Sequence, residues 1–184
     1  MGVFTLGGLT TAPASTRSDL LAPSTLSALE ALGWLDDVGV VEIDPDISDT
    51  AATRDQFDLD ATDLANCVVV AGKREGVERI AACVVLSTTR ADVNNTVKRL
   101  LDVRKASFLP MDRAVDLTGM EYGGITPIGL PDGWPVLVDA RVAEQEVVII
   151  GSGVRRSKIL VPGRLIAELP DARLIDGLGQ EVPA

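Results

Sequence analysis

The sequence predicts a mixed α+β domain: one curved, largely antiparallel sheet with short helices on its flanks. Three observations carry that expectation. Apolar strand-like runs come as hairpin pairs, "CVVVAG" with "RIAACVVLS" and "EVVIIG" with "SKILV", each pair around a polar or glycine-containing turn. The helical segments are short and do not alternate regularly with single strands, as a doubly wound fold requires. A length of 184 residues suits a single domain with a sizeable core. Aromatic residues make up only 3% of the chain, so Val, Leu, Ile and Ala must fill that core.

Taken in order, "MGVFTLGGLTTAPASTRS" is rich in Gly, Thr, Ala and Ser without periodicity and is expected as a mobile arm. "PSTLSALEALGW" reads as a helix capped by Ser24, with Leu26, Leu29 and Leu32 on one face and Gly33 at its end. "VGVVEI" is a strand, and the polar "DPDISDTAATRDQFD" after it a loop. "DATDLANC" gives a helical turn or two starting near Asp60. The first hairpin has "KREGVE" at its tip; a turn centred near Glu75 places Cys67 opposite Cys83. Two reduced, buried thiols are expected there rather than a cross-strand disulfide. "RADVNNTVKRLLDV" is an amphipathic helix with Val93, Val97, Leu100 and Leu101 inward. "ASFL" is a strand, "PMDRAVDLTG" a helix from Pro110 to Gly119, and "PVLVDA" a strand running into Asp139. The second hairpin, a helix at "PGRLIAEL" and a closing strand at "ARLID" complete the order. Residues 1–57 are expected as an N-terminal extension, 58–178 as the domain proper and 179–184 as a loose tail.

Composition narrows the chemistry. A net charge of −10 argues against an autonomous, tight nucleic-acid binder, since affinity for phosphates comes from clustered Lys and Arg. The absence of histidine removes Ser-His-Asp and Cys-His arrangements and every His-containing zinc site. No metal and no cofactor are expected. The 2 cysteines are too few for a secreted disulfide framework. Neither a signal peptide nor a run of about 18 apolar residues is visible, so a soluble, cytoplasmic protein without membrane contact is expected.

The unusual stretch is "TGMEYGGITPIGLPDGWPVLVDARV", Thr118 to Val142. Gly123, Gly124, Gly129 and Gly133 permit positive φ and close backbone approach, while Pro127, Pro131 and Pro135 fix φ. Such a main chain is held in one shape, with amides free to point at a ligand. Neither this loop nor "GSG" at Gly151–Gly153 has the spacing of a dinucleotide or P-loop fingerprint, and "GSG" between apolar strands reads as a hairpin turn. The groups left for chemistry are loop amides, the hydroxyls of Thr126 and Ser152, Asp139 and Lys158. Asp139 suits a helix cap as well as a site. Lys158 lies in an alternating strand whose face is open: a solvent-side edge lysine, or a cation directed into a pocket at a carbonyl or phosphate oxygen.

Gly123, Gly124, Ile125, Thr126, Pro127 and Gly129, followed by Asp139, Gly151, Gly153 and Arg155, resemble in order the pattern of the YbaK/ProX family, free-standing relatives of the editing domain of prolyl-tRNA synthetase. The resemblance spans roughly Asp58 to Leu178. It implies hydrolysis, in trans, of the ester of tRNA mischarged with a small amino acid, and the acceptor end of aminoacyl-tRNA as partner. It also implies a catalytic role for Gly124 and substrate contacts from Gly123, Ile125, Thr126, Pro127, Asp139, Gly153 and Arg155, to which the Ser152 hydroxyl adds a further candidate contact. Where the family usually carries a lysine, at the start of the first hairpin strand, this chain has Asn66; where a number of relatives have an acid after the Gly-Arg turn, it has Lys158. One reading is a relocated cation, Lys158 serving with Asn66 in catalysis. The other is a non-catalytic module that binds an amino acid, aminoacyl group or tRNA end.

Overall fold

The N-terminal segment expected as a mobile arm is built into the sheets. The computed structural model describes residues 1–183. Strands β1 (Thr5–Leu6) and β2 (Leu9–Thr10) form a ribbon, and β3 (Ala12–Pro13) pairs with β4 (Gly39–Glu42). Leu9, Ala14 and Leu20 are buried, which explains the order: the arm carries core residues of its own. Between β3 and β4 runs α1 (Pro23–Leu32), with Leu29 buried and Leu26 and Leu32 at the core's margin. Gly33 ends it in the left-handed region at φ 72°. Its N-cap is Ala22, not Ser24; Pro23 opens the first turn, and the buried Ser24 hydroxyl has no partner among the described residues.

After β4 the chain departs from expectation. The polar stretch read as a loop contains a 3-10 turn (Pro45–Ile47) and a helix, α2 (Thr50–Phe57). Asp49 is its N-cap, accepting from the Ala52 N–H at 3.0 Å. Thr53 is its fully buried residue, a polar one, so no hydrophobic period betrays the helix. A capping box at Asp60 and Asp63 closes the turn before β5 (Ala65–Arg74) and β6 (Val77–Leu86). Their two-residue turn has positive φ at Glu75 and Gly76 (52° and 78°), matching the twist of a tight hairpin. This sets Cys67 opposite Val84 and Val68 opposite Cys83, one residue from the expected register. A one-residue slip turns a side chain to the other face. Cys67 therefore packs toward the main core and Cys83 into the second one; both are free thiols.

The remaining elements are β7 (Thr89–Ala91), a π-helical stretch (Val93–Val97) continuing into α3 (Lys98–Leu100), β8 (Ala106–Phe108), α4 (Met111–Thr118), β9 (Val136–Asp139), α5 (Ala140–Ala143), β10 (Val148–Gly151), β11 (Ser157–Val161), α6 (Gly163–Ala167), β12 (Ala172–Ile175) and β13 (Gly179–Glu181). The segment read as one amphipathic helix buries Val93, Val97 and Leu101 as expected, although its first turns are π-helical. Gly179–Glu181, placed in a loose tail, pairs instead with β7.

A five-stranded sheet runs β12-β9-β6-β5-β8 and a four-stranded one β10-β11-β4-β3. Pairs are antiparallel except β6–β9 and β9–β12. A bridge from Leu64 to Ile149 stitches the two sheets together. The main core, with Leu29, Val84, Val138, Ile150 and Ile159, fills the space between the sheets and α1; a second, with Val70, Cys83, Val85 and Val97, covers the outer face of the larger sheet. This is the expected mixed α+β class, with two principal sheets joined by a bridge where a single curved sheet was expected. Among the described residues, no helix is long and apolar enough to cross a membrane.

Candidate functional site

Lys158 sits in the middle of the smaller sheet, paired with Gly151 on one side and Val41 on the other, so the exposed-edge option does not apply. Along β11, Ile159 and Val161 turn into the main core, whereas Leu160 packs with Leu64 and Ile149 on the opposite face. Alternation sends Lys158 to that same face. The residue is only 8% exposed, and its Nζ donates to the Ser48 carbonyl at 2.7 Å. Burial pulls the ammonium down to about 8, against the opposing pull of the Asp49 carboxylate.

The amine reaches a cavity of about 340 Å³ at the seam between the two sheets. Gly151 and Ile149 join Lys158 on one wall, Asn66, Cys67 and Val68 of β5 form another, Ser48, Asp49 and Thr50 a third, and Tyr122, Gly123 and Ile125 the rim. Asn66 Oδ1 accepts from Thr50 Oγ1 at 2.6 Å, leaving its amide nitrogen without a partner among the described residues. Lys158 and Asn66 thus share the cavity without bonding each other; both hold the segment that opens α2. Arg155 braces that segment from outside, with Nε donating to Ser48 Oγ at 3.2 Å and Nη2 to the Pro45 carbonyl at 3.0 Å. The Lys158 ammonium and the Asn66 amide are donors on these walls, and Cys67, Val68, Ile125 and Ile149 supply apolar surface. Such a site suits an electron-rich carbonyl oxygen beside a small side chain. Among the described residues no cluster of Cys, Asp and Glu is arranged to hold a metal ion.

Of the residues given a catalytic or substrate-binding role from the sequence, Lys158, Asn66, Gly123 and Ile125 line this cavity and the others do not. Gly124 is turned inward: its N–H donates to the Glu121 carbonyl at 3.0 Å and its own carbonyl accepts from Gly153 at 2.7 Å, so it offers no open donor. A side chain there would lie 2.7 Å from the Val154 backbone, which is why this position is glycine. Thr126 is fully buried, with its N–H against Met120 Sδ and its hydroxyl unpartnered. Pro127 faces a separate cavity beside α1. Ser152 bonds Ser157 Oγ at 2.6 Å and shapes the turn, and Gly153 takes φ 86° where Ala22 crowds it. Asp139 is taken up in structural contacts. It caps α5 by accepting from Arg141 N–H at 2.9 Å, pairs with the Arg141 guanidinium, and accepts from Gly179 N–H at 2.6 Å. Burial pushes this carboxyl up, but those bonds outweigh it and hold it below the ordinary range.

The wall formed by Ser48, Asp49 and Thr50 was not foreseen, because its segment reads as a polar loop. The available signal was "SDTAAT", an N-cap aspartate before a short run of helix formers. In the sequence Tyr122 and Val68 look like ordinary loop and strand residues, and Cys67 reads only as a buried thiol.

A family model described as aminoacyl-tRNA editing domain matches residues 44–169, a span that contains every wall of this cavity. No curated protein sequence matches the chain. Among solved structures, a candidate trans-editing enzyme for prolyl-tRNA synthetase superposes with a TM-score of 0.71 at 21% identity, over 88% of this chain and 99% of that one. A hypothetical protein superposes with a TM-score of 0.74 at 17% identity, over 85% and 99%. At such identities these likenesses establish the fold, whose mixed architecture is the one described above. The family match covers most of the sequence, and the chain belongs to the aminoacyl-tRNA editing domain family.

Proposed function

We propose that this protein hydrolyses, in trans, the ester of tRNA mischarged with a small amino acid. The observation that carries the reading is the buried Lys158 ammonium opening into the same small cavity as Asn66. Water attacks the aminoacyl carbonyl carbon, the bond to the ribose oxygen breaks, and that oxygen takes up a proton. The products are the free amino acid and the uncharged tRNA. Negative charge grows on the carbonyl oxygen during attack, and a preorganised cation with nearby N–H donors stabilises it more than it stabilises the ground state. Gly123 and Ile125 present N–H groups with no protein partner among the described residues, which suits this role. An activated ester needs no histidine or metal for such a path. Cys67, Val68 and Ile149 limit the side chain admitted, as a sieve based on size requires. The partner is the acceptor end of an aminoacyl-tRNA, encountered in the cytoplasm.

The test is deacylation of a panel of tRNAs mischarged with amino acids of graded size. Small esters such as alanyl or cysteinyl should be cleared at least about tenfold faster than bulky ones. Binding of the charged end with no hydrolysis of any ester would replace the enzyme with a recognition module, the outcome favoured if Asn66 does not replace the family lysine.

A further inference from the structure

The cavity does not end at Tyr122. A second cavity, about 360 Å³, shares Cys67, Val68, Tyr122 and Ile125 with the first and continues to Phe108 and Met111. A third, about 380 Å³, begins at Phe108 and Leu109 and ends among cations. Along this line folding leaves Tyr122 59%, Phe108 61% and Met111 54% exposed. Three large apolar side chains on one strip exceed the scattered exposure of an ordinary surface.

The far end contrasts with the chain's net charge of −10. Lys73, Arg104, Lys105 and Arg113 line it with a single acid, Glu78. Arg113 holds both Glu78 oxygens, at 2.7 and 2.8 Å. Lys73, Arg104 and Lys105 have no ion pair among the described residues and are exposed.

We infer that this strip is the track of a single-stranded RNA 3′ end. Bases near the terminus stack on Tyr122 and Phe108, phosphates follow Lys73, Arg104 and Lys105, and the terminal ribose ester reaches Lys158. The inference rests on the editing reading for what happens at the Lys158 end. The occupant follows from the alternation of chemistry: isolated exposed rings, which any base can cover, leading to four cations around a single carboxylate. An acidic protein meets RNA through such a local patch or not at all. With three phosphate contacts the binding is modest and salt-sensitive, with a slope of log K against log salt of about −2.

Two assays separate this inference from the reading beneath it. Fluorescence anisotropy follows binding of an uncharged RNA hairpin with a single-stranded 3′ end, across a salt series. Hydrolysis of a small aminoacyl ester of adenosine, too short to reach Phe108, follows the chemistry. Phe108→Ala should weaken RNA binding about tenfold. Lys73→Ala with Lys105→Ala should flatten the salt slope to about −0.7. Both variants should cleave the adenosine ester at the wild-type rate and keep the wild-type circular dichroism spectrum. RNA affinity and salt slope unchanged in both variants, or no binding by wild type at low salt, would overturn the inference and leave the editing reading intact. Self-association that disappears in Phe108→Ala while RNA affinity stays constant would also overturn it, assigning the strip to a second copy. RNA bound through the strip with no ester cleaved by wild type would retain the track and refute the editing reading.

Discussion

Lys158 is charged under neutral conditions only narrowly, and that balance is visible in pH dependence. Burial lowers the ammonium from 10.5 to about 8, while Asp49 pulls it back up. A lysine that acts as a cation works while protonated, so deacylation should fall as pH rises through about 8. Asp49→Asn should move that fall to lower pH, because the supporting negative charge is gone. A rate that instead climbs through pH 8 would make the neutral amine a general base. Stability carries the opposite sign. Below about pH 8 both folded and unfolded chains hold the proton, and the folded state bears the whole cost of burying it. Between about 8 and 10.5 the folded state releases the proton first, so this group's contribution to stability rises with pH. Lys158→Met should therefore raise stability by about 1–3 kcal/mol at pH 7 in urea unfolding, and by less near pH 10.5. A variant more stable yet inactive would mark the lysine as retained for chemistry rather than folding.

The glycine loop and the first hairpin work as elements. Gly124 contributes no group to the cavity, yet a methyl there meets the Val154 backbone at 2.7 Å and pushes the loop from its seat. Gly124→Ala should lower stability by about 1–3 kcal/mol and slow deacylation about a hundredfold, since Gly123 and Ile125 move with it. Urea titration and single-turnover rates on one variant check both. The loop's importance was legible in its spacing of Gly and Pro; which amides it exposes was not, because Glu121, Gly153 and Val154 decide that through tertiary contacts. The hairpin shows the same division. Two apolar runs around a polar tip identify the pair, but a two-residue turn at Glu75 and Gly76 sets the register, and a shift of one position separated Cys67 and Cys83 onto opposite faces. Helix α2 stayed hidden because its buried residue is Thr53. With it went a third wall of the site.

At the scale of the whole molecule, chain segments distant in sequence converge on two points. Asp139 joins β9, α5 and the strand β13. Its carboxyl is held low when folded, so its stabilisation is complete above its ordinary value of 3.8 and is lost as pH falls through the lowered folded value. Asp139→Ala should lower stability by roughly 2–3 kcal/mol at pH 7, from a lost cap and a buried N–H left unpaired, with the difference narrowing in strong acid. Urea titrations at both pH values test this. The other convergence is the site: Ser48–Thr50 from the N-terminal segment, Asn66 from β5, the loop at Gly123 and Lys158 from β11 meet at the seam between two sheets. The family resemblance marked Asn66 and Lys158 as a pair worth joining; only the packing of the sheets revealed what stands between them. The most direct test of the account is single-turnover deacylation of alanyl-tRNA mischarged on a non-cognate tRNA, by wild type and Lys158→Ala. Wild type should clear the ester, and the variant should lose about 10²–10³ in rate. Equal rates from the two proteins would contradict the account.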